Sequence, residues 1–333
     1  MNRKQIVLLP LLGVALLAAV TLIPRVTTFL TEPPGGERIV VVLKTVGPDM
    51  EFWQIVRAGI QEAATELNVE PAIVGPRWER DVDGQIEILR NVIARSPEAI
   101  LLAASDFNRL VPLAEEAAAK GVTIVTLDSA LNSDVPVSFV ATDNVAAGRK
   151  AGAEVARLLP PGRAVAIVSH IPGVATAIDR ELGVRGALSE AGVREIPGTF
   201  YSDNDPDRAY RITLELLETY PDLGGVVALN ESSTVGVGRA LRDEERYDEV
   251  ILVGFDNSRE EIRFLEQGVV RALVVQRPFN MGYLGIQAVV DALRGGDVEP
   301  VIHTGSVLVR REEIFTEENQ RLLFPVIDRE SPR

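Results

Sequence analysis

The chain contains no cysteine, which removes disulfide staples, thiolate nucleophiles, Cys-ligated zinc and a lipid-modified cysteine anchor. Histidine is almost as scarce. His170 and His303 are the only two, neither has a second ligand at metal-binding spacing, and no Ser/His/Asp elbow surrounds them. Positive charge is also short: Lys and Arg number 34 against 48 Asp and Glu, a net charge of −14. No basic stretch of domain length offsets this, so nucleic acid is not an expected partner. Aromatic residues are 5% of the chain, which makes the adjacent pair Phe52 and Trp53 conspicuous.

What remains is a globular composition. The 333 residues, 46% of them hydrophobic, suffice for buried cores and most naturally for two domains. At the N-terminus, Arg3 and Lys4 precede an uncharged, mostly apolar run over residues 5–24 that Arg25 ends. Positive residues ahead of such a run are retained inside, so the rest of the chain is expected to be extracytoplasmic. Residues 1–26 read as a signal peptide or an uncleaved membrane anchor. The anchor is preferred, because the run is long enough to span a bilayer and no small-x-small cleavage site follows it. Residues 27–37, with Pro33-Pro34-Gly35-Gly36, read as a tether.

From Arg38 onward short β-branched runs alternate with amphipathic stretches of helical length. Strands are expected at residues 38–45, 72–75, 99–104, 122–128 and 137–141, with helices at 52–67 and 82–95 and another ending at Lys120. A second series places strands at 164–169, 198–202, 225–229, 250–255 and 272–276, then a helix at 279–293 and a last strand at 301–309. Continuous apolar strands separated by helices predict α/β architecture, with parallel, doubly wound sheets buried on both faces. Two series of similar size predict two similar lobes.

Open parallel sheets bind ligands beyond the carboxyl ends of their strands. The residues there include Asp106, Asp128-Ser129, Asp143-Asn144, His170, Asp203-Asn204, Asn230-Glu231, Asp256-Asn257 and Gln276, with Phe52 and Trp53 opening the first helix. Any one of the Asp or Asn residues suits a helix cap equally well. Together, planar carboxylates and amides beside aromatic faces suit a polyol, because each can bridge neighbouring hydroxyls. Trp78 and Glu79 follow the second strand near the cleft mouth, with Trp78 read as a packing residue beneath that loop. Asp203, Asp205 and Asp207 have calcium-loop spacing, but Arg208 and Leu214 occupy the turn-glycine and bidentate-acid positions. No metal or cofactor is expected.

Seven segments then make a more specific pattern: EFWQIVRAGIQEAA at 51–64, VTLDS at 125–129, ATDNVAAG at 141–148, DRELG at 179–183, VALNESSTVG at 227–236, LVGFDN at 252–257 and VQ at 275–276. In this order they resemble the ribose-binding branch of the periplasmic sugar receptors, over roughly residues 38–309. The resemblance implies the type I periplasmic binding fold, two lobes joined by a three-strand hinge. It divides the chain into an N-terminal lobe of residues 38–141 plus 277–301 and a C-terminal lobe of 142–276 plus 302–333. It implies that Phe52 and Trp53 sandwich a sugar ring and that Asp128 accepts its hydroxyls. Arg180, Asn230, Asp256 and Gln276 fall on further ligand positions, and Asp106, Ser129 and Asn204 complete the candidate set. Three departures argue against ribose itself. Ala103 stands where the pattern has Asn, Ser129 where it has Arg, and Asn204 where relatives carry Phe or Trp.

The expected activity is capture of a small monosaccharide or polyol without chemistry. Asp128 and Asp256 at one cleft would suit acid–base work, but a receptor needs carboxylates for hydrogen bonding alone. Expected partners are the membrane permease of an ABC importer or, alternatively, a sensor histidine kinase. A sugar-responsive repressor of the same fold is disfavoured, because an apolar segment stands where a basic helix-turn-helix belongs.

Overall fold

A computed structural model of the chain describes residues 39–48 and 50–324. The expected anchor and tether, residues 1–37, lie outside the described residues. Two sheets organise the remainder. The first has the order β12-β5-β4-β3-β1-β2, where β1 is Ile39–Val42, β2 Ala72–Val74, β3 Ala99–Leu102, β4 Thr123–Leu127, β5 Ser138–Ala141 and β12 Val301–His303. Its ladders are all parallel. The second has the order β13-β11-β10-β9-β6-β7, with β8 also on β6. Here β6 is Ala164–Ser169, β7 Arg194–Glu195, β8 Phe200–Tyr201, β9 Leu223–Ala228, β10 Ile251–Phe255, β11 Ala272–Val275 and β13 Val307–Arg310.

Both lobes repeat one winding. Each sheet reverses direction beside its first strand, between β1 and β3 in one lobe and between β6 and β9 in the other. A crevice opens at such a reversal, beyond the strands' carboxyl ends. The chain passes between sheets three times: after Ala141, after Val275, and between His303 and Val307. The third passage corrects the single strand expected at 301–309. Gly305, at φ +77°, breaks it into β12, parallel to β5, and β13, antiparallel to β11. Lys150 pins this passage by donating to the Ser306 carbonyl at 2.6 Å and to its hydroxyl at 2.9 Å.

Local chemistry explains the element ends. Helix α1, Glu51–Leu67, stops at Asn68, which adopts φ 54°; Asn tolerates this left-handed conformation better than most residues. Ser258 and Glu261 form a capping box at the start of α8, Arg259–Gln267, and Gly268 ends that helix at φ +79°. Apolar residues fill the layers on each sheet's two faces. The clusters around Leu101 and Ile100 belong to the first lobe, and those around Leu252 and Val227 to the second.

One packing device recurs in both lobes and seats the cleft. In the first, α1 crosses α9, Pro278–Leu293. A Cβ on Gly59 would lie 2.0 Å from the Phe279 carbonyl oxygen, and one on Gly282 2.1 Å from that of Val56. In the second, α4, Asn144–Leu158, crosses α5, Ala175–Glu190. A Cβ on Gly148 would lie 2.1 Å from the Arg180 carbonyl oxygen. The obstacle is backbone, so only glycine allows the approach that fixes Arg180. Gly148→Ala is therefore expected to lower unfolding stability by about 2 kcal/mol through overpacking, measured by urea denaturation. An unchanged midpoint would mean the two helices yield freely.

Candidate functional site

The strand ends of both lobes converge on an enclosed cavity of about 30 Å³, space for one or two waters. From the first lobe it is lined by Lys44, Met50, Phe52, Trp53, Glu79 and Asp128. From the second come His170, Thr176, Arg180, Asn230 and Asp256, with Gln276 on the second passage. Seven of the ten residues singled out in the sequence thus meet there with new companions: Phe52, Trp53, Asp128, Arg180, Asn230, Asp256 and Gln276.

Asp128 and Asp256 hold matching places, each following the fourth strand of its sheet order. Both adopt positive φ, 62° and 77°, a conformation that costs a non-glycine residue roughly 1 kcal/mol or more. Asp128 accepts an ion pair from Lys44 at 2.7 Å, and Ser129 donates to the same carboxylate at 3.3 Å. Asp256 accepts from Gln276 at 2.6 Å and from the Glu231 backbone N–H at 2.9 Å. Arg180 is fixed by donating to Asn144 and to the Leu229 carbonyl, both at 2.8 Å, and by stacking over Phe255. His170 meets the Thr176 hydroxyl at 3.1 Å. Its Nδ1 and the Gln276 Oε1 are buried with no hydrogen-bond partner among the described residues.

Phe52 and Trp53 pack edge to face, with ring centroids 5.1 Å apart and planes at 84°. That spacing admits nothing between the rings, so the pair forms one aromatic wall rather than two sides of a slot. Asn204 stands opposite, bridging the lobes. It accepts from the Asn230 side chain and donates to Glu79 at 2.9 Å and to the Met50 sulfur at 3.1 Å. It borders an outer hollow of about 420 Å³ with Trp78, Glu79 and Glu231.

Three candidates fall outside the cavity: Asn204 on the outer hollow, Asp106 and Ser129. Asp106 accepts from the N–H groups of Asn108 and Arg109, both at 2.8 Å, so it caps a turn; neighbouring Phe107 donates to the Gly173 carbonyl of the other lobe at 2.8 Å. Ser129 acts only through Asp128. Trp78 does not pack beneath its loop: it is 43% exposed, with Arg77 and Arg80 against its ring.

The sequence reading missed Lys44 and gave no role to Glu231. Lys44, 1% exposed, ends an apolar run, and a lysine there is the signal that was available. Glu231 reaches across the cleft, where its two oxygens accept the backbone N–H groups of Glu51 and Phe52, each at 3.3 Å.

Burial dominates the electrostatics. It raises Glu231 to about 8, helped by Asp256, and the two long N–H bonds offset only part of this. Burial also raises Glu79 against the pull of Lys44, and Asp256 against that of Arg180. Glu261 is pushed well above the carboxylate range by burial, then by Glu231 and Asp256. His170 goes the other way, held well below its ordinary value by burial, Arg180 and Lys44.

The profile described as a periplasmic binding protein domain matches residues 39–297. The D-allose-binding periplasmic protein of Escherichia coli is 28% identical over 270 residues, 78% of this chain and 86% of that protein. A carbohydrate transporter solute-binding protein from Agrobacterium radiobacter, solved with D-arabinose, superposes with a TM-score of 0.84 at 30% identity, covering 87% of this chain and all of the other. An ABC transporter solute-binding protein from Agrobacterium vitis with bound D-fucose gives 0.79 at 29% identity, over 86% of this chain and all of its own.

Were the cleft to open to water, Glu231 would fall from about 8 toward an ordinary carboxylate value, so closing it again would take up a proton. Its contribution to the closed form is complete below the ordinary carboxylate range and is lost as pH rises to about 8. Glu79 and Asp256 act with the same sign, as does any change at Glu261; Glu51, which pairs with Arg259 at 3.9 Å, also faces Glu231. His170 opposes them only below its ordinary value of 6.5. Between pH 6.5 and 8 the closed fraction, read as an interlobe distance, is expected to fall with rising pH. Glu231→Gln should flatten that slope; an equally steep slope would place the proton elsewhere.

Proposed function

The chain belongs to the periplasmic binding protein domain family, and on that premise we propose that it captures a small monosaccharide by hinge closure and presents it to the permease of an ABC importer. The observation that carries this reading is the composition of the cavity. One aromatic wall stands among nine polar side chains drawn from both lobes, and His170 Nδ1 and Gln276 Oε1 retain unused hydrogen-bonding capacity. A polyol satisfies such groups; an apolar ligand would strand them.

In this reading Phe52 and Trp53 cover the C–H face of the sugar from one side. Asp128 and Asp256 accept hydroxyl protons, Lys44, Arg180 and Asn230 donate, and Gln276 does both. Ser129 orients Asp128, and Asn204 closes the far wall as an amide where relatives carry an aromatic ring. The site's charges compensate one another, Lys44 against Asp128 and Arg180 beside Asp256, so a neutral sugar fits better than a sugar acid. The lobes must part to admit it, because the closed cavity is far smaller than a pentose. Contacts made to both lobes then favour the closed form.

Relatives of this kind serve import from outside the cytoplasm, and the same location is proposed here, with the apolar N-terminal segment as an anchor. No observation favours the sensor-kinase alternative. The reading involves no covalent step.

A thermal-shift screen of the full chain against pentoses, hexoses, their acids and polyols tests the reading. A true ligand at a hundredfold excess over its Kd is expected to add about 3 kcal/mol of apparent stability, with neutral sugars giving the hits. Asn230→Asp keeps the cap on α7, Glu231–Asp243, where Asn230 accepts from the Ser233 N–H, but removes the amide donor. It should fold normally and lose at least tenfold in affinity. A blank screen, or unaltered binding by Asn230→Asp, would count against the assignment.

A further inference from the structure

Helix α1 carries both residues of the aromatic wall, yet among the described residues no side chain of its own lobe caps it. Its N-cap residue, Met50, offers no side-chain hydrogen bond, and a helix start leaves N–H groups that need acceptors. The acceptor comes from the opposite lobe. Glu231, at the first position of α7, receives the N–H groups of Glu51 and Phe52 on its two oxygens. It does not line the inner cavity, and its residue is only 7% exposed. Its own backbone is held in turn, since its N–H donates to Asp256 at 2.9 Å. A single chain of contacts therefore runs from Gln276 through Asp256 and Glu231 to the backbone of Phe52.

We propose that Glu231 is a positioning residue for ligand capture, a clasp that caps α1 only when the lobes close and so ties the setting of Phe52 and Trp53 to closure. This rests on the capture reading above but adds to it a residue that touches no ligand. When the lobes part, the α1 N–H groups pass to water and Glu231 is hydrated, so the clasp contributes nothing to the open form. It stabilises neither lobe by itself. Its effect falls on the equilibrium between open and closed.

That distinction supplies the test. The absence of native cysteine allows Glu87→Cys and Glu215→Cys, exposed positions on helices of opposite lobes, to carry a pair of spin labels on the full chain. Trp53 and Trp78 are the only tryptophans, so in a Trp78→Phe background emission reports Trp53 alone. Interlobe distance, Trp53 emission and affinity for D-allose, D-ribose and D-arabinose are compared in the parent, Glu231→Ala and Glu231→Asp. The shorter aspartate keeps the carboxyl group but falls short of α1.

Both variants are expected to shift the distance distribution toward the open form and to weaken whichever sugar binds by about tenfold to a hundredfold, the loss typical of two hydrogen bonds to one group. Glu231→Gln, which keeps the reach and one acceptor oxygen, should recover much of this. Ligand-free thermal stability should stay near that of the parent, which a merely structural role would not allow. Sugar affinity and interlobe distances within experimental error of the parent in both variants would overturn the clasp. If none of the three sugars binds the parent, the choice of ligand fails separately, and the ligand-free distances still decide whether Glu231 holds the closed form.

Discussion

The cleft depends on the pairing of Lys44 with Asp128. The two side chains project from the ends of β1 and β4, strands separated by β3, and meet at 2.7 Å with almost no exposure. Removing Lys44 would leave the buried Asp128 carboxylate without its ion-pair partner, a penalty of several kcal/mol. With both present, the carboxylate is fixed in direction and able to accept further hydrogen bonds. Two other charged groups there are set by a similar compensation: Arg180 by Asn144 and Leu229, Asp256 by Gln276 and the Glu231 N–H. Pre-set dipoles of this kind discriminate between ligands because they cannot turn to suit a wrong one.

The lobes are joined in a different way from that in which each is built. Among the described residues, every apolar cluster lies wholly within one lobe. Across the cleft the contacts are polar: Glu231 on the start of α1, Asn204 on Glu79, and Phe107 on Gly173. Water can replace each of these hydrogen bonds at small net cost, whereas separating apolar surfaces would cost in proportion to their area. Parting the two lobes would therefore leave both cores undisturbed.

The alternation of apolar runs with helical stretches made both sheets legible from sequence, and the rule that ligands lie beyond strand ends located Asp128, Asn230, Asp256 and Gln276 near one cavity, whereas Arg180, inside a helix, came from the family resemblance alone. What stayed hidden depends on partners distant in sequence. Lys44 reads as the last residue of a strand until Asp128 is placed beside it. Glu231 reads as an ordinary first-turn acid, favourable to its own helix, until the other lobe supplies a helix without a cap. Asp106 looked like a ligand residue by the same strand-end rule and proved to be a turn cap, because that rule cannot separate the two uses of an aspartate. The strand expected at 301–309 was divided by Gly305, where a positive φ lets the chain leave one sheet and join the other.

The matching of Asp128 and Asp256 explains why the site needs both lobes. Each follows the fourth strand of its sheet order, and each is held at positive φ, so each lobe spends backbone strain to turn one carboxylate toward the same point. Neither lobe alone encloses that point. The first brings the aromatic wall and a cation, the second brings a guanidinium and two amides, and the strain at both aspartates is of use only where the halves face each other. The strain and the buried charges thus argue for the same conclusion: the working unit is the interface, and the lobes are the scaffolds that present its two faces.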